Sequence, residues 1–345
     1  MNNNLILSPE EEAAFTQFLS KFSSSDTQLH IQDMLTTIIK LSRESSDLSD
    51  LKLIGTALQE LRRSFKVFAP YRDTRKISLF GSARTPESDI QYKMAQDFAK
   101  RITEKGFMLI TGAGSGVMEA GNRGAEVGRS FGVNIQLPFE QKANSYIEQD
   151  QKLVTYKYFF TRKLIFIKES DATILFPGGF GTHDEGFEIL TLIQNGRCSP
   201  RPIVMISEPG SSYWRKWLDY IKTELLDTRF ISPEDMGLFT LVESVDNAVD
   251  VITSFYRVYH SIKYYQDLTI LRINAVLSDA FLARLHNEFS DILVSGTFEQ
   301  TLPGDLEIDQ KDYPEKARLV FKFNKINFGR LCQLIRLINT YQEGH

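Results

Sequence analysis

The chain has only two cysteines, Cys198 and Cys332, far apart in its 345 residues. That number excludes a disulfide framework, and the spacing excludes a cysteine-based metal site. A reducing, cytoplasmic setting is expected. No sign of charge dominates, because 40 Lys and Arg stand against 44 Asp and Glu, a formal net charge of −4. Neither a general nucleic-acid binder nor a membrane-surface binder is expected from that balance. No apolar run approaches the ~20 residues needed to span a bilayer. The opening MNNNLILSPEEE lacks a basic stretch followed by a long apolar core, so it does not read as a signal peptide. Internal repeats and low-complexity tracts are absent as well.

What is present falls into three zones. Residues 1–75 are poor in glycine and read as a helical extension, with Ser8, Pro9 and Glu10 forming a helix start. Apolar residues recur at helical spacing over 29–41 and 51–68. Residues 76–256 alternate short apolar strands (KISLFG, FMLITG, FGVNIQL, ATILFPGG, PIVMI) with helical stretches such as 92–105 and 117–127. This alternation predicts a Rossmann-like α/β domain, a parallel sheet with helices on both faces. Residues 257–345 suggest a small α+β accessory domain with the order β-α-β-β-α, its strands at DLTILRI, LVSGTFEQ and ARLVFKF.

Three glycine-bearing strand ends stand out: FGSARTP (80–86), TGAGSGVMEAGNRGA (111–125) and FPGGFGTHDEGFE (176–188). In an open parallel sheet, ligands bind outside the carboxyl ends of the strands. Free N–H groups at a helix N-terminus bind phosphate, and glycine lets the backbone come close to it. Gly114 and Gly116 in the second loop, with Gly178, Gly179, Gly181 and Thr182 in the third, are therefore candidate phosphate contacts. Ser82, Arg84 and Ser115 would add contacts to phosphate or ribose. A dinucleotide fingerprint does not fit: position 117 is Val117 where the third glycine should stand, and FGVNIQLP carries no acid after the next strand. No G-K-[ST] follows any glycine run, so a P-loop does not fit either.

The third loop runs straight into acids. Glu185 and Glu188 lie three apart, on one face of the helix expected to follow. A phosphate held by the loop and a carboxylate one turn further on can coexist if a ribose separates them. The carboxylate then faces something that becomes positive. Upstream, Arg162 and Lys163 in YKYFFTRKLIFIKES supply cations to bind phosphate or sugar oxygens and to orient Glu185. Glu119, after Gly116, Val117 and Met118, is a further candidate contact at the site. No metal and no cofactor are called for.

PGGFGTHDE (177–185), with the Arg162–Lys163 pair before it, resembles the PGGxGTxxE motif and arginine–lysine pair of the LOG (LONELY GUY) family, often labelled lysine decarboxylase. FGSAR, NIQLPFEQ and YFFTRK look like its longer bacterial members. The resemblance covers about residues 76–256. It implies a Rossmann-like fold and a phosphoribohydrolase that cleaves nucleoside 5′-monophosphates, such as AMP or N6-modified cytokinin precursors, to base and ribose 5-phosphate. It implies Arg162 and Glu185 as catalytic residues and Gly178, Gly179, Gly181 and Thr182 as the phosphate site. Lys163 and Glu140 follow as substrate contacts, with Glu188 added from its place on the Glu185 face, and the protein is expected to be a homo-oligomer. Position 183, commonly leucine in such relatives, is His183 here. A nucleotide-binding sensor, with residues 257–345 receiving an effector, is the alternative.

Overall fold

The computed structural model describes residues 9–20, 25–44, 47–138, 142–301 and 313–342. The chain divides into two compact units, Met1–Arg62 and Arg63–His345. The first holds α1 (Pro9–Leu19), α2 (Ser25–Glu44) and most of α3 (Leu48–Phe68). Among the described residues, no helix is long and apolar enough to cross a membrane.

The second unit is built on seven strands: β1 (Lys76–Phe80), β2 (Met108–Thr111), β3 (Ser130–Ile135), β4 (Leu153–Tyr156), β5 (Ala172–Leu175), β6 (Ile203–Ile206) and β7 (Thr240–Val242). They form one sheet in the order β4-β3-β2-β1-β5-β6-β7, and every adjacent pair is parallel. β1, β2, β3, β5 and β6 are buried along their whole length, as near-continuous apolar strands covered on both faces must be. Between them run α4 (Ile90–Glu104), α5 (Val117–Gly124), α6 (Phe159–Glu169), α7 (Phe180–Gln194), α8 (Tyr213–Tyr220) and α9 (Val245–Phe255). Ile77 and Leu79 of β1 share one apolar core with α4, α5 and α9. Phe80 points to the other face and meets Phe166 of α6 at a ring-centroid distance of 4.8 Å. The expected Rossmann-like layering is what the chain adopts. The reading missed β4 and β7; they are only four and three residues long, with partly exposed positions that blur the apolar signal.

A second, four-stranded antiparallel sheet follows, made of β8 (Tyr259–Tyr265), β9 (Leu268–Ile273), β10 (Leu293–Thr301) and β11 (Ala317–Phe323) in the order β10-β11-β9-β8. α10 (Asp279–Phe289) and α11 (Phe328–Ile338) share an apolar core with it. The order is therefore β-β-α-β-β-α, one strand more than expected. YHSIKYY was overlooked because this edge strand is only half-buried and its lysine and histidine break the apolar alternation.

Candidate active site

The chain lays β1 to β4 outward in one direction and then returns to place β5 on the other side of β1. The crevice outside the carboxyl ends of β1 and β5 is thus the sheet's switch point, where such folds bind ligands. Main-chain bonds draw the loops together there. Ser82 N–H donates to the Pro177 carbonyl at 3.2 Å, and Val117 N–H donates to the Ser82 carbonyl at 3.0 Å. A cleft of about 850 Å³ opens between them. Gly178, Gly179, Gly181, Thr182 and Glu185 line one side, and Ser82, Arg84 and Arg162 also face it.

α7 begins at Phe180 with Gly179 as its N-cap, so Thr182 sits in the first turn and does not cap the helix. The amides of Gly179, Phe180 and Gly181 have no hydrogen-bond acceptor among the described residues. Orphan donors of this kind at a helix start attract an anion. Phe180 is 96% exposed, and a methyl group built on Gly179 or Gly181 would meet nothing within 4 Å. This stretch therefore presents bare backbone to the cleft.

One turn along α7, Glu185 is 8% exposed. Its carboxylate lies 3.9 Å from the Arg162 guanidinium and 3.6 Å from the Lys163 ammonium. Burial raises the Glu185 pKa above the usual glutamate value, and the two cations pull it back down. Neither cation makes a short hydrogen bond to it, so its oxygens stay available to the cleft. Arg162 is held by its Nε–H, which donates to the Val133 carbonyl at 2.9 Å. Burial lowers its pKa, Glu185 opposes that shift, and a guanidinium remains a cation regardless. Gly112 makes room for it: a methyl group there would stand 2.7 Å from Arg162 Nη2.

Lys163 Nζ lies 2.7 Å from Glu188 and 2.9 Å from Asp184. Burial alone would lower its pKa, but Glu188, Asp184 and Glu185 together raise it. Lys163 and Glu188 pair with each other and do not line the cleft. Gly114, Ser115, Gly116 and Glu119 do not line it either. Ser115 Oγ donates to the Ala83 carbonyl at 2.8 Å, so the second loop braces the first. Glu140 lies outside the described residues.

Residues the sequence reading did not single out complete the picture. Asn144 Nδ2 donates to the Gly114 carbonyl at 2.9 Å and to Asn122 Oδ1 at 3.0 Å. Thr111 Oγ1 donates to the same Asn122 oxygen at 2.7 Å. This buried network ties the second glycine loop to the sheet. Met118, Phe159 and Tyr213 also line the cleft. Asn122 could have been noticed inside MEAGNRGA, whereas nothing in the sequence around Tyr213 or Asn144 marks them.

The family described as possible lysine decarboxylase matches residues 111–252. A cytokinin riboside 5′-monophosphate phosphoribohydrolase of Mycobacterium tuberculosis is 30% identical over 174 residues, 48% of this chain and 88% of that protein. A probable enzyme of the same name from Oryza sativa subsp. japonica is 26% identical over 163 residues, 47% of this chain and 75% of that protein. Among solved structures, the molybdenum cofactor binding protein of Rippkaea orientalis is 19% identical with a TM-score of 0.38, covering 52% of this chain and 96% of that one.

Proposed function

The chain belongs to the LOG family, and from that premise we propose that it hydrolyses the N-glycosidic bond of a nucleoside 5′-monophosphate, AMP or an N6-modified AMP, to free base and ribose 5-phosphate. One observation carries this reading. A buried carboxylate, Glu185, stands one helical turn from three unpartnered amides on the same wall of one cleft. The amides suit the 5′-phosphate. A ribose reaching inward from that phosphate brings C1′ toward the carboxylate.

In this reading the C1′–N bond breaks with its electron pair leaving on the base, and the sugar passes through an oxocarbenium-like state. Ionised Glu185 stabilises that positive charge and accepts a proton from the water whose oxygen bonds C1′. The leaving nitrogen gains a proton, so one water is added overall. Arg162 orients the carboxylate and contacts ribose or phosphate oxygens. Lys163 and Glu188, paired with each other beside Glu185, set the local charge. The expected homo-oligomer is part of the same reading.

The test is to incubate the protein with AMP, GMP, CMP and N6-isopentenyl-AMP and to assay ribose 5-phosphate, with Glu185→Ala and Arg162→Ala in parallel. Release from at least one nucleotide that is lost in both folded variants supports the proposal. Tight nucleotide binding with no release from any of them overturns it in favour of a nucleotide sensor.

A further inference from the structure

Tyr213 enters the cleft from α8, well outside the PGGxGTxxE motif, and its hydroxyl sits on the motif's first glycine. It donates to the Gly178 carbonyl at 2.5 Å, and the Gly178 N–H points back at it from 3.2 Å. His183 Nε2 lies 2.8 Å from the same oxygen. A phenol has one proton, and here it goes to the Gly178 carbonyl. The other two contacts must therefore be donated into the oxygen, one by the Gly178 amide and one by His183. That assigns His183 the tautomer carrying its proton on Nε2. Both rings are held in place: they stack at 26° with centroids 5.9 Å apart, and Tyr213 meets Trp214 edge-on at 4.8 Å. Trp214 is itself anchored by its indole N–H, which donates to the Ile206 carbonyl at 2.9 Å.

Two consequences follow for the anion site. The Gly178 amide is engaged by Tyr213, so it is not one of the open donors, contrary to what its place in the motif suggests. The open donors are the next three amides, at Gly179, Phe180 and Gly181. Their direction depends on the plane of the peptide just before them. Besides the clasp, the Pro177 carbonyl accepts from Ser82 N–H at 3.2 Å and the Gly179 carbonyl accepts from the Thr182 and His183 N–H groups, while Gly179 and Gly181 themselves face open space.

We propose that Tyr213 is a positioning residue for the phosphate site: with His183 as its donor, it clasps both polar groups of Gly178 and so aims the three following amides at the ligand's phosphate. The proposal rests on the phosphoribohydrolase reading for the identity of the ligand, but its geometry concerns only the phosphate. Since phosphate is bound alike in ground state and transition state, losing the clasp weakens binding and leaves the chemical step nearly intact.

The experiment uses the full chain with Tyr213→Phe, His183→Leu and His183→Gln, measuring ribose 5-phosphate and inorganic phosphate binding by calorimetry beside nucleotide kinetics. Tyr213→Phe is expected to weaken ribose 5-phosphate binding and raise KM by about tenfold, with kcat changed less than about threefold. His183→Leu is expected to weaken binding by about threefold, and His183→Gln, which keeps a donor at Nε2, to recover at least half of that loss. Unchanged ribose 5-phosphate affinity in folded Tyr213→Phe overturns the proposal, as does a fall in kcat at unchanged KM. If Tyr213→Phe does not fold, equal affinities of the His183 pair and wild type overturn it instead. If the wild type releases ribose 5-phosphate from no nucleotide, the functional reading fails while the binding comparison still decides the clasp.

Discussion

Two glycine loops share one edge of the sheet, and they are built in opposite ways. The loop after β2 is fastened on every side. Gly116 holds a φ of 67° with the Ser82 carbonyl only 2.4 Å from where a Cβ would be. The carbonyl of Gly114 is taken by Asn144, and the guanidinium of Arg162 presses on Gly112. The loop after β5 is tied at its start, at Pro177 by Ser82 and at Gly178 by Tyr213, and Gly179 and Gly181 beyond it face open space. The same residue type thus serves two purposes. In the first loop glycine is required by close packing; in the second that is true of Gly178, where a Cβ would stand 2.1 Å from Thr182 Oγ1, whereas Gly179 and Gly181 leave amides uncovered. Motif matching alone treats the two as equivalent loops, whereas the geometry braces one and leaves three amides of the other without an acceptor among the described residues.

The largest effect that tests this division is expected at Glu185, where the open loop meets the chemistry. Glu185→Gln should lower kcat by about 10³-fold, the scale of removing a charge-stabilising group from a buried site. The same variant should unfold at a higher urea concentration than wild type. The folded-state pKa of Glu185 is raised by burial, so the ionised carboxylate weakens the fold at neutral pH, and a neutral amide removes that cost. Ribose 5-phosphate release and a urea titration on one preparation check both statements. Equal activity, or a lower urea midpoint, would break the assignment.

Next comes a paired glycine substitution. Gly116→Ala should lose about 3 kcal/mol of stability, because it combines a positive φ with a backbone clash. Gly179→Ala, at a φ of −91° with an open Cβ direction, should stay within about 0.5 kcal/mol of wild type while weakening ribose 5-phosphate binding. Similar urea midpoints for the two variants would erase the contrast. Asn144→Ala should cost about 2 kcal/mol by stranding the Gly114 carbonyl and loosening the network around Asn122. Hydrogen exchange at the amides of 112–116 should accelerate in that variant, and those of 179–182 should not change.

The smallest effect concerns pH. His183, in the first turn of α7 beside the open loop, has its pKa lowered by burial. Above the ordinary histidine value neither folded nor unfolded chain holds the proton, and the residue contributes nothing. As pH falls below about 6.5, the unfolded chain protonates first, so stability declines until the folded imidazole also titrates. Urea midpoints measured from pH 7.5 downward should fall less steeply in His183→Leu than in wild type, and identical slopes would refute the assignment.

Much of this was legible in the linear chain. KISLF, MLIT and IVMI announce buried strands because their apolar residues are contiguous, and parallel strands covered on both faces need that. PGGFGTHDE with Arg162 upstream marked the cleft, since glycine-to-helix junctions and an acid one turn later are local patterns. Shorter or half-exposed strands such as LVTY and YHSIKYY were missed, because burial there is supplied by neighbours distant in sequence. Lys163, read from the arginine–lysine pair, and Glu188, read from its spacing to Glu185, pair with each other at 2.7 Å, a contact that no local pattern announces.

The sequence by itself determined the α/β alternation, the three glycine-bearing strand ends and the spacing of Glu185 from its loop. Hydrophobic periodicity, glycine's dihedral range and helical spacing are properties of adjacent residues, and they need no knowledge of the fold. Only the tertiary structure decided that Tyr213, 35 positions from Gly178, clasps it, and that Asn144, 30 positions from Gly114, holds the other loop. A hydrogen bond works only near 3 Å and along narrow directions, and which distant side chains come that close is settled when the sheet and its helices pack.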